Sequence, residues 1–186
     1  AAMIREPIVG FVTEVGTRDG FQSEAVFIPT ADKSGVIDAL IGAGVTHVEA
    51  TSFVSPRAVP QLADAHEVLA RVARRADAHL SALVPNPRGA ERALGAGVDE
   101  MVSFVSASET HNRANLNAPI ADSLANVAEV AAIARGRVPL RGAIACAFGC
   151  PFEGEVPVGA VLRVADAYAA LGIDRLTLGD TTGMAT

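Results

Sequence analysis

Gly44-Val45-Thr46-His47-Val48-Glu49, Gly97-Val98-Asp99-Glu100-Met101-Val102 and Gly172-Ile173-Asp174-Arg175-Leu176-Thr177 share one form. Each follows an alanine- or leucine-rich helical stretch and opens an apolar run. Glycine closes a helix in the left-handed region, and the β-branched residue after it begins a strand. Three such joints predict repeated α/β units, and their unequal spacing argues against an exact solenoid.

Working outward from the joints, strands are expected near 8–14, 45–50, 79–84, 99–105, 139–146 and 174–178. Helices are expected near 31–43, 61–74, 88–95, 120–134 and 157–171. Pro60, Pro87, Pro119 and Pro157 stand at or just before helix starts, where a missing N–H is tolerated. Strict alternation leaves an open doubly wound sheet or a (β/α)₈ TIM barrel. A dinucleotide-binding sheet should carry Gly-x-Gly-x-x-Gly after its first strand. Here that strand runs into Glu14-Val15-Gly16-Thr17-Arg18-Asp19-Gly20 instead. Polar residues also recur after nearly every strand, which is how barrel enzymes assemble a site on one face. The expected fold is therefore an α/β, (β/α)₈ TIM barrel with about six strand–helix units present. Residues 1–186 would form one barrel domain that stops short of the eight units and about 250 residues typical of the fold.

Composition agrees with a sheet covered by helices. Of the 186 residues, 50% are hydrophobic and only 4% aromatic, so the core is built from small and β-branched side chains. The net charge of −6 argues against a nucleic-acid partner, since no basic surplus is available to neutralise phosphates. No apolar run is long enough to span a bilayer, so no membrane partner is expected. No basic-then-apolar leader is visible, and a cytoplasmic protein is the default expectation.

Arg18-Asp19-Gly20 follows the first strand. An arginine fork suits a carboxylate or an enolate oxygen, and the adjacent carboxylate suits a hard divalent cation. An ion pair within a turn accounts for the same residues equally well. Glu49 ends an apolar strand beside Thr51, Ser52 and Ser55. Aimed inward it suits proton transfer, and aimed outward it would pair with a basic residue of a helix. Asn86 in Pro85-Asn86-Pro87 reads first as a helix cap and second as a substrate contact. Ser106-Ala107-Ser108-Glu109 opens a long polar loop through Asn117, suited to a lid or a carrier-binding role, with disorder as the competing account. Cys146 and Cys150 have neither zinc-site spacing nor a neighbouring histidine, and read as packing residues. Asp180, after the sixth strand, either orients a site group or caps the next helix. The four histidines show no H-x-H or H-E-x-x-H spacing, so no complete metal site is legible.

Assembled, these segments resemble hydroxymethylglutaryl-CoA lyases of the metal-dependent lyase and aldolase barrel superfamily. The carriers are Glu14 to Gln22, Val48 to Pro56 with Val59-Pro60-Gln61, Pro85-Asn86, Ala107-Ser108-Glu109, Cys146 to Gly154 and Leu178 to Thr181. Arg-Asp-Gly alone would fit the wider superfamily. Ser-Phe-Val-Ser-Pro and Cys-x-x-Gly-Cys-Pro-x-Glu-Gly are particular to the lyase branch.

The resemblance implies a retro-Claisen cleavage of an acyl-CoA substrate to acetyl-CoA and acetoacetate. It implies Asp19 as a ligand of Mg²⁺ or Mn²⁺, Arg18 on the enolate, and Glu49 and Asp180 within the catalytic group. Arg18, Gln22, Asn86 and Ser108 are expected to bind substrate, and an oligomer of identical chains is the expected assembly. The family's H-x-H and asparagine ligands and its cysteine loop are expected beyond Thr186. Phe21 and Ser23 replace the family's usual leucine and asparagine, and Ala25 stands where many members carry lysine. Ser23 and Ala25 point to a divergent member with a different acyl group.

Overall fold

A computed structural model describes residues 10–185. Six parallel strands lie side by side in chain order: β1 (Thr13–Glu14), β2 (His47–Ser52), β3 (His79–Leu83), β4 (Glu100–Ser106), β5 (Leu140–Ala145) and β6 (Arg175–Leu178). Sequential order without reversal leaves no topological switch point, so the doubly wound alternative is excluded. The sheet is an arc of a barrel.

Six helices follow the strands: α1 (Thr30–Gly42), α2 (Ala65–Arg71), α3 (Pro87–Gly95), α4 (Glu109–Leu116), α5 (Ile120–Ala134) and α6 (Val158–Ala170). The three glycine joints are Schellman caps. Gly44, Gly97 and Gly172 have φ of 96°, 72° and 79°. After each, the chain donates back into the helix. Val45 N–H bonds to Leu40 O and Gly44 N–H to Ile41 O, and the same pairs recur at Val98/Ala93 with Gly97/Leu94 and at Ile173/Tyr168 with Gly172/Ala169.

Strand alternation then sorts the side chains. Val48, Leu80, Ala82 and Met101 face outward onto Ile37, Ile41, Val68, Leu69, Ala90, Ala93 and Val130 of the helices. Val105 and Ile144 pack with Val164 and Tyr168 in a second outer cluster. The alternate positions Glu49, Ser81, Glu100 and Arg141 point into the arc, and the first three are buried. β2 carries a bulge: Glu49 pairs with Ser81, but Thr51 pairs with Ala82, so β2 advances two residues while β3 advances one.

Three expectations need correction. The first strand covers only Thr13–Glu14 among the described residues; residues 8 and 9 of the expected span lie outside them. A 3₁₀ turn at Pro60–Leu62 separates Pro60 from α2, so the expected helix at 61–74 shortens to Ala65–Arg71. The stretch after Ser108 is a helix, α4, and not a long loop. Two of its polar residues, His111 and Asn112, are buried: Asn112 accepts from Ser106 N–H and donates to Ala118 O and Ser123 Oγ. No described helix is long and apolar enough to cross a membrane.

Candidate active site

At the carboxyl end of β1 the chain enters a wide π-helical turn, Gly16–Gly20. Gly16 N–H donates to the Glu14 carboxylate at 2.6 Å, and Asp19 N–H donates to Val15 O. The turn lays Arg18 across the mouth of the arc. Arg18 Nε donates to Glu49 Oε1 at 2.6 Å, and Nη1 donates to Asp19 Oδ1 at 2.6 Å. Gln22 Nε2 donates to the same Asp19 oxygen at 2.9 Å. Thr17 Oγ1 donates to Glu49 O and ties the turn to β2. Two edges of one guanidinium are thus held by carboxylates. Its Nη2 makes no hydrogen bond among the described residues.

Glu49 points inward, as a site residue must, and its side chain is only 4% exposed. Burying a carboxylate is costly without counter-charge. Here a second arginine supplies it: Arg141 Nη2 of β5 lies 3.5 Å from Glu49 Oε2. Arg141 also reaches Glu100 Oε2 through Nε at 3.2 Å and donates to Thr177 Oγ1. Arg175 lies 2.7 Å from Glu100 Oε1, and His79 Nε2 lies 3.8 Å from Glu100 Oε2. The interior of the arc is therefore an ionic stack rather than an apolar filling, running from Arg18 and Glu49 down through Arg141 to Glu100 and Arg175.

Sequence reasoning missed Arg141, Glu100 and Arg175. The available signal was parity. Leu140-Arg141-Gly142-Ala143-Ile144 places one charge at an inward position of an otherwise apolar strand, and Glu100-Met101-Val102 does the same.

Arg18, Asp19, Gln22 and Glu49 are brought together by direct contacts; the other expected site residues stand apart from them. Asn86 is exposed, and its Oδ1 accepts Gly89 N–H at 2.9 Å, capping α3. Ser108 is buried after β4, where its Oγ accepts His111 N–H as the cap of α4 and meets Cys150 Sγ at 3.0 Å. Asp180 is exposed after β6 and accepts Met184 N–H and Ala185 N–H, so it caps a turn of its own segment.

Cys146 and Cys150 are both buried and free. Cys150 closes a tight turn with Gly154 through two backbone hydrogen bonds. Burial works to raise its thiol pKa, but hydrogen bonds from the Ser108 hydroxyl and from Phe152 and Glu153 N–H outweigh it and hold the thiol below its ordinary range. Burial raises the Cys146 thiol instead.

Among the described residues no group of three or more His, Cys, Asp or Glu could enclose a metal ion. Asp19 does fit a hard cation as a single ligand. Its side chain is 57% exposed, and only Oδ1 is engaged by Arg18 and Gln22, which leaves Oδ2 as a free oxygen donor.

With this geometry in place, comparison with known families is decisive: a family model described as HMGL-like matches residues 11–186. The chain belongs to the HMGL-like family. Among curated relatives, this HMGL-like chain is 43% identical over 175 residues to hydroxymethylglutaryl-CoA lyase YngG of Bacillus subtilis, covering 94% of the chain and 58% of that protein. It is 41% identical over 181 residues to the cytoplasmic 3-hydroxy-3-methylglutaryl-CoA lyase of Danio rerio, covering 97% and 54%. Against a 3-hydroxy-3-isohexenylglutaryl-CoA/hydroxy-methylglutaryl-CoA lyase of Pseudomonas aeruginosa it is 42% identical, covering 94% and 59%. Its fold matches the solved structure of an HMG-CoA lyase from A. baumannii in complex with coenzyme A and 3-methylmalate. The TM-score is 0.92 at 41% identity, covering 95% of this chain and 58% of that one. The HMGL-like chain thus spans somewhat over half the length of the relatives it matches.

Proposed function

We propose that this chain forms the Arg–Asp half of a carbon–carbon lyase acting on 3-hydroxy-3-methylglutaryl-CoA or a close 3-alkyl homologue. The observation that carries the reading is the Arg18 guanidinium, pinned on two edges by Glu49 and Asp19 with its Nη2 donors free at the mouth of the arc.

Cleavage requires the C3 hydroxyl to lose its proton as the C2–C3 bond breaks. The hydroxyl carbon becomes the ketone of acetoacetate, and the bonding pair passes to C2 and the thioester oxygen as an enolate. Protonation of that enolate at C2 gives acetyl-CoA. Arg18 is the group suited to the enolate oxygen, because its orientation is fixed before charge develops and costs no reorganisation. Glu49 holds Arg18 in place, and Arg141 holds Glu49. Asp19 would be this chain's ligand to a divalent cation, Mg²⁺ or Mn²⁺, which when bound supplies a Lewis acid for the substrate hydroxyl. Gln22 orients Asp19 for that task. Asn86, exposed at the start of α3, is assigned to the carrier side of the substrate, Ser108, buried beneath α4, to holding the Cys150 turn beside the substrate path, and Asp180 to orienting groups at the far rim.

The test uses the natural polypeptide that carries this sequence. Magnesium- or manganese-dependent release of acetoacetate and acetyl-CoA is expected, with a fall of about 10³-fold or more in kcat for Arg18→Gln. Failure to cleave any 3-hydroxy-3-alkylglutaryl-CoA would sink the reading. A longer 3-alkyl substrate tests the acyl group in the same assay. A cytoplasmic location and an assembly of identical chains belong to the same proposal, and fractionation and light scattering check them.

A further inference from the structure

Lys33 is the only lysine in the chain, and every other long cationic side chain is arginine. It is also buried, with a side chain 3% exposed. Its Nζ donates to Asp64 Oδ1 at 2.6 Å and to Gln61 O at 2.5 Å, and stands 4.0 Å from the centroid of the Phe27 ring. A compact ammonium suits three partners in different directions, where a planar guanidinium would not. Thr30 Oγ1 donates to the other Asp64 oxygen at 2.7 Å.

Local stability does not account for this node. A buried ion pair is often no better than an apolar replacement of the same volume. Lys33 lies in the first turn of α1, where a positive charge is disfavoured by the helix dipole. Asp64 stands at the N-cap position of α2, where a carboxylate ordinarily accepts a helix N–H, yet it makes no such bond. Both of its oxygens go to α1 instead. What the node does hold is the connection from the Arg18–Asp19 turn into α1. Residues 23–27 are all exposed, and 23–29 form no helix or strand. Among the described residues, the one hydrogen bond that reaches this stretch from a distant part of the chain is Gln61 Nε2 to Glu24 O, at 2.5 Å. Phe27, under Lys33, is the second anchor. Both anchors come from the node, and the other end of the stretch leads directly into Gln22 and Asp19.

We infer that Lys33 is a positioning residue: with Asp64 and Gln61 it ties the outgoing arm of the site turn to the segment that leaves β2, and so holds Arg18 and Asp19 in place against Glu49. The inference rests on the lyase reading of that site. Arg18 and Glu49 come from β1 and β2, and the node locks together the connections that follow those two strands. Lys33 touches no substrate and acts only through the turn.

The test uses the natural polypeptide and two variants. Lys33→Met/Asp64→Leu removes both charges together, so neither is left buried alone, and it should melt within about 4 °C of the parent. Gln61→Met cuts the tie to Glu24 and leaves the ion pair in place. In both, hydrogen exchange at the hydrogen-bonded amides of Arg18, Asp19, Ser23 and Glu24 should quicken by about tenfold or more, with β3 and β4 unchanged. In turnover of the CoA thioester, kcat should fall by about tenfold or more while KM moves by less than about threefold, because the displaced group serves the transition state. A purely structural role predicts no loss of kcat in a variant that stays folded. Should the double variant fail to fold, Gln61→Met carries the same two readouts. Unchanged exchange at those amides overturns the inference, and so does full kcat in a variant whose turn exchanges faster. If the natural polypeptide cleaves no thioester, the lyase reading fails, and the exchange readout alone decides whether the node holds the turn.

Discussion

Arg141 meets Glu49 across the arc, Nη2 to Oε2 at 3.5 Å, although their strands are separated by two others. In a flat sheet β2 and β5 would lie about 14 Å apart. One guanidinium therefore couples the carboxylate that positions Arg18 to the buried Glu100 beneath it.

Replacing Arg141 by methionine leaves two buried carboxylates short of counter-charge. Arg18 still serves Glu49 and Arg175 still serves Glu100, so the loss should fall near or below the low end of the roughly 3–5 kcal/mol typical of a broken buried pair. Urea denaturation measures it. Activity should fall as well, and Arg141→Lys should rescue stability better than activity, because lysine cannot span both carboxylates with a planar fork.

Gly142 of β5 lies against the ring of Tyr168, which is fully buried and donates its hydroxyl to Ala143 O. A Cβ at Gly142 would sit 2.7 Å from Tyr168 Cδ2, with no room for the ring to retreat. Gly142→Ala is expected to destabilise by about 1–3 kcal/mol through overpacking. A thermal melt reports it, and Gly142→Ala/Tyr168→Leu should recover part of the loss.

Ser108→Ala removes the cap of α4 and the hydroxyl that meets Cys150. The expected loss is about 1–2 kcal/mol, at the upper end for a cap because the site is buried. The Cys150 thiol should titrate higher in the variant, which difference spectroscopy of the thiolate can follow.

Burial lowers the pKa of His111, and burial, then His79 and Arg175, lower that of His47, from an ordinary value of 6.5. The folded chain thus holds fewer protons than the unfolded chain between the folded values and 6.5. The stability these neutral imidazoles contribute is complete above about pH 6.5 and is lost as pH falls through the folded values. Melting temperature should drop on acidification over that range. His111→Phe should flatten the drop, since His111 Nδ1 is buried without a partner.

The joints at Gly44, Gly97 and Gly172 were readable because a left-handed cap needs particular residues at particular places, and three copies agree. Glu49 was readable as a strand-end carboxylate, but its setting was not. Its counter-charge Arg141 is 92 residues away in the chain, and only closure of the arc brings them together. The helix α4 was not legible because Glu-Thr-His-Asn-Arg-Ala-Asn-Leu has no apolar stripe. It packs through buried Asn112 and His111, which a periodicity argument reads as solvent-facing. The cap role of Asn86 was legible, since Asn-Pro before a short helix carries its own local chemistry.

The bulge in β2 falls directly after Glu49, so β2 spends three residues, Glu49 to Thr51, where β3 spends two. A bulge bends its strand and increases the local twist. From that point β2 no longer keeps step with its neighbour, and the loop that leaves its carboxyl end inherits the offset. Deleting Ala50 should set that loop back by one residue against β3 while leaving Arg18 and Glu49 themselves unchanged.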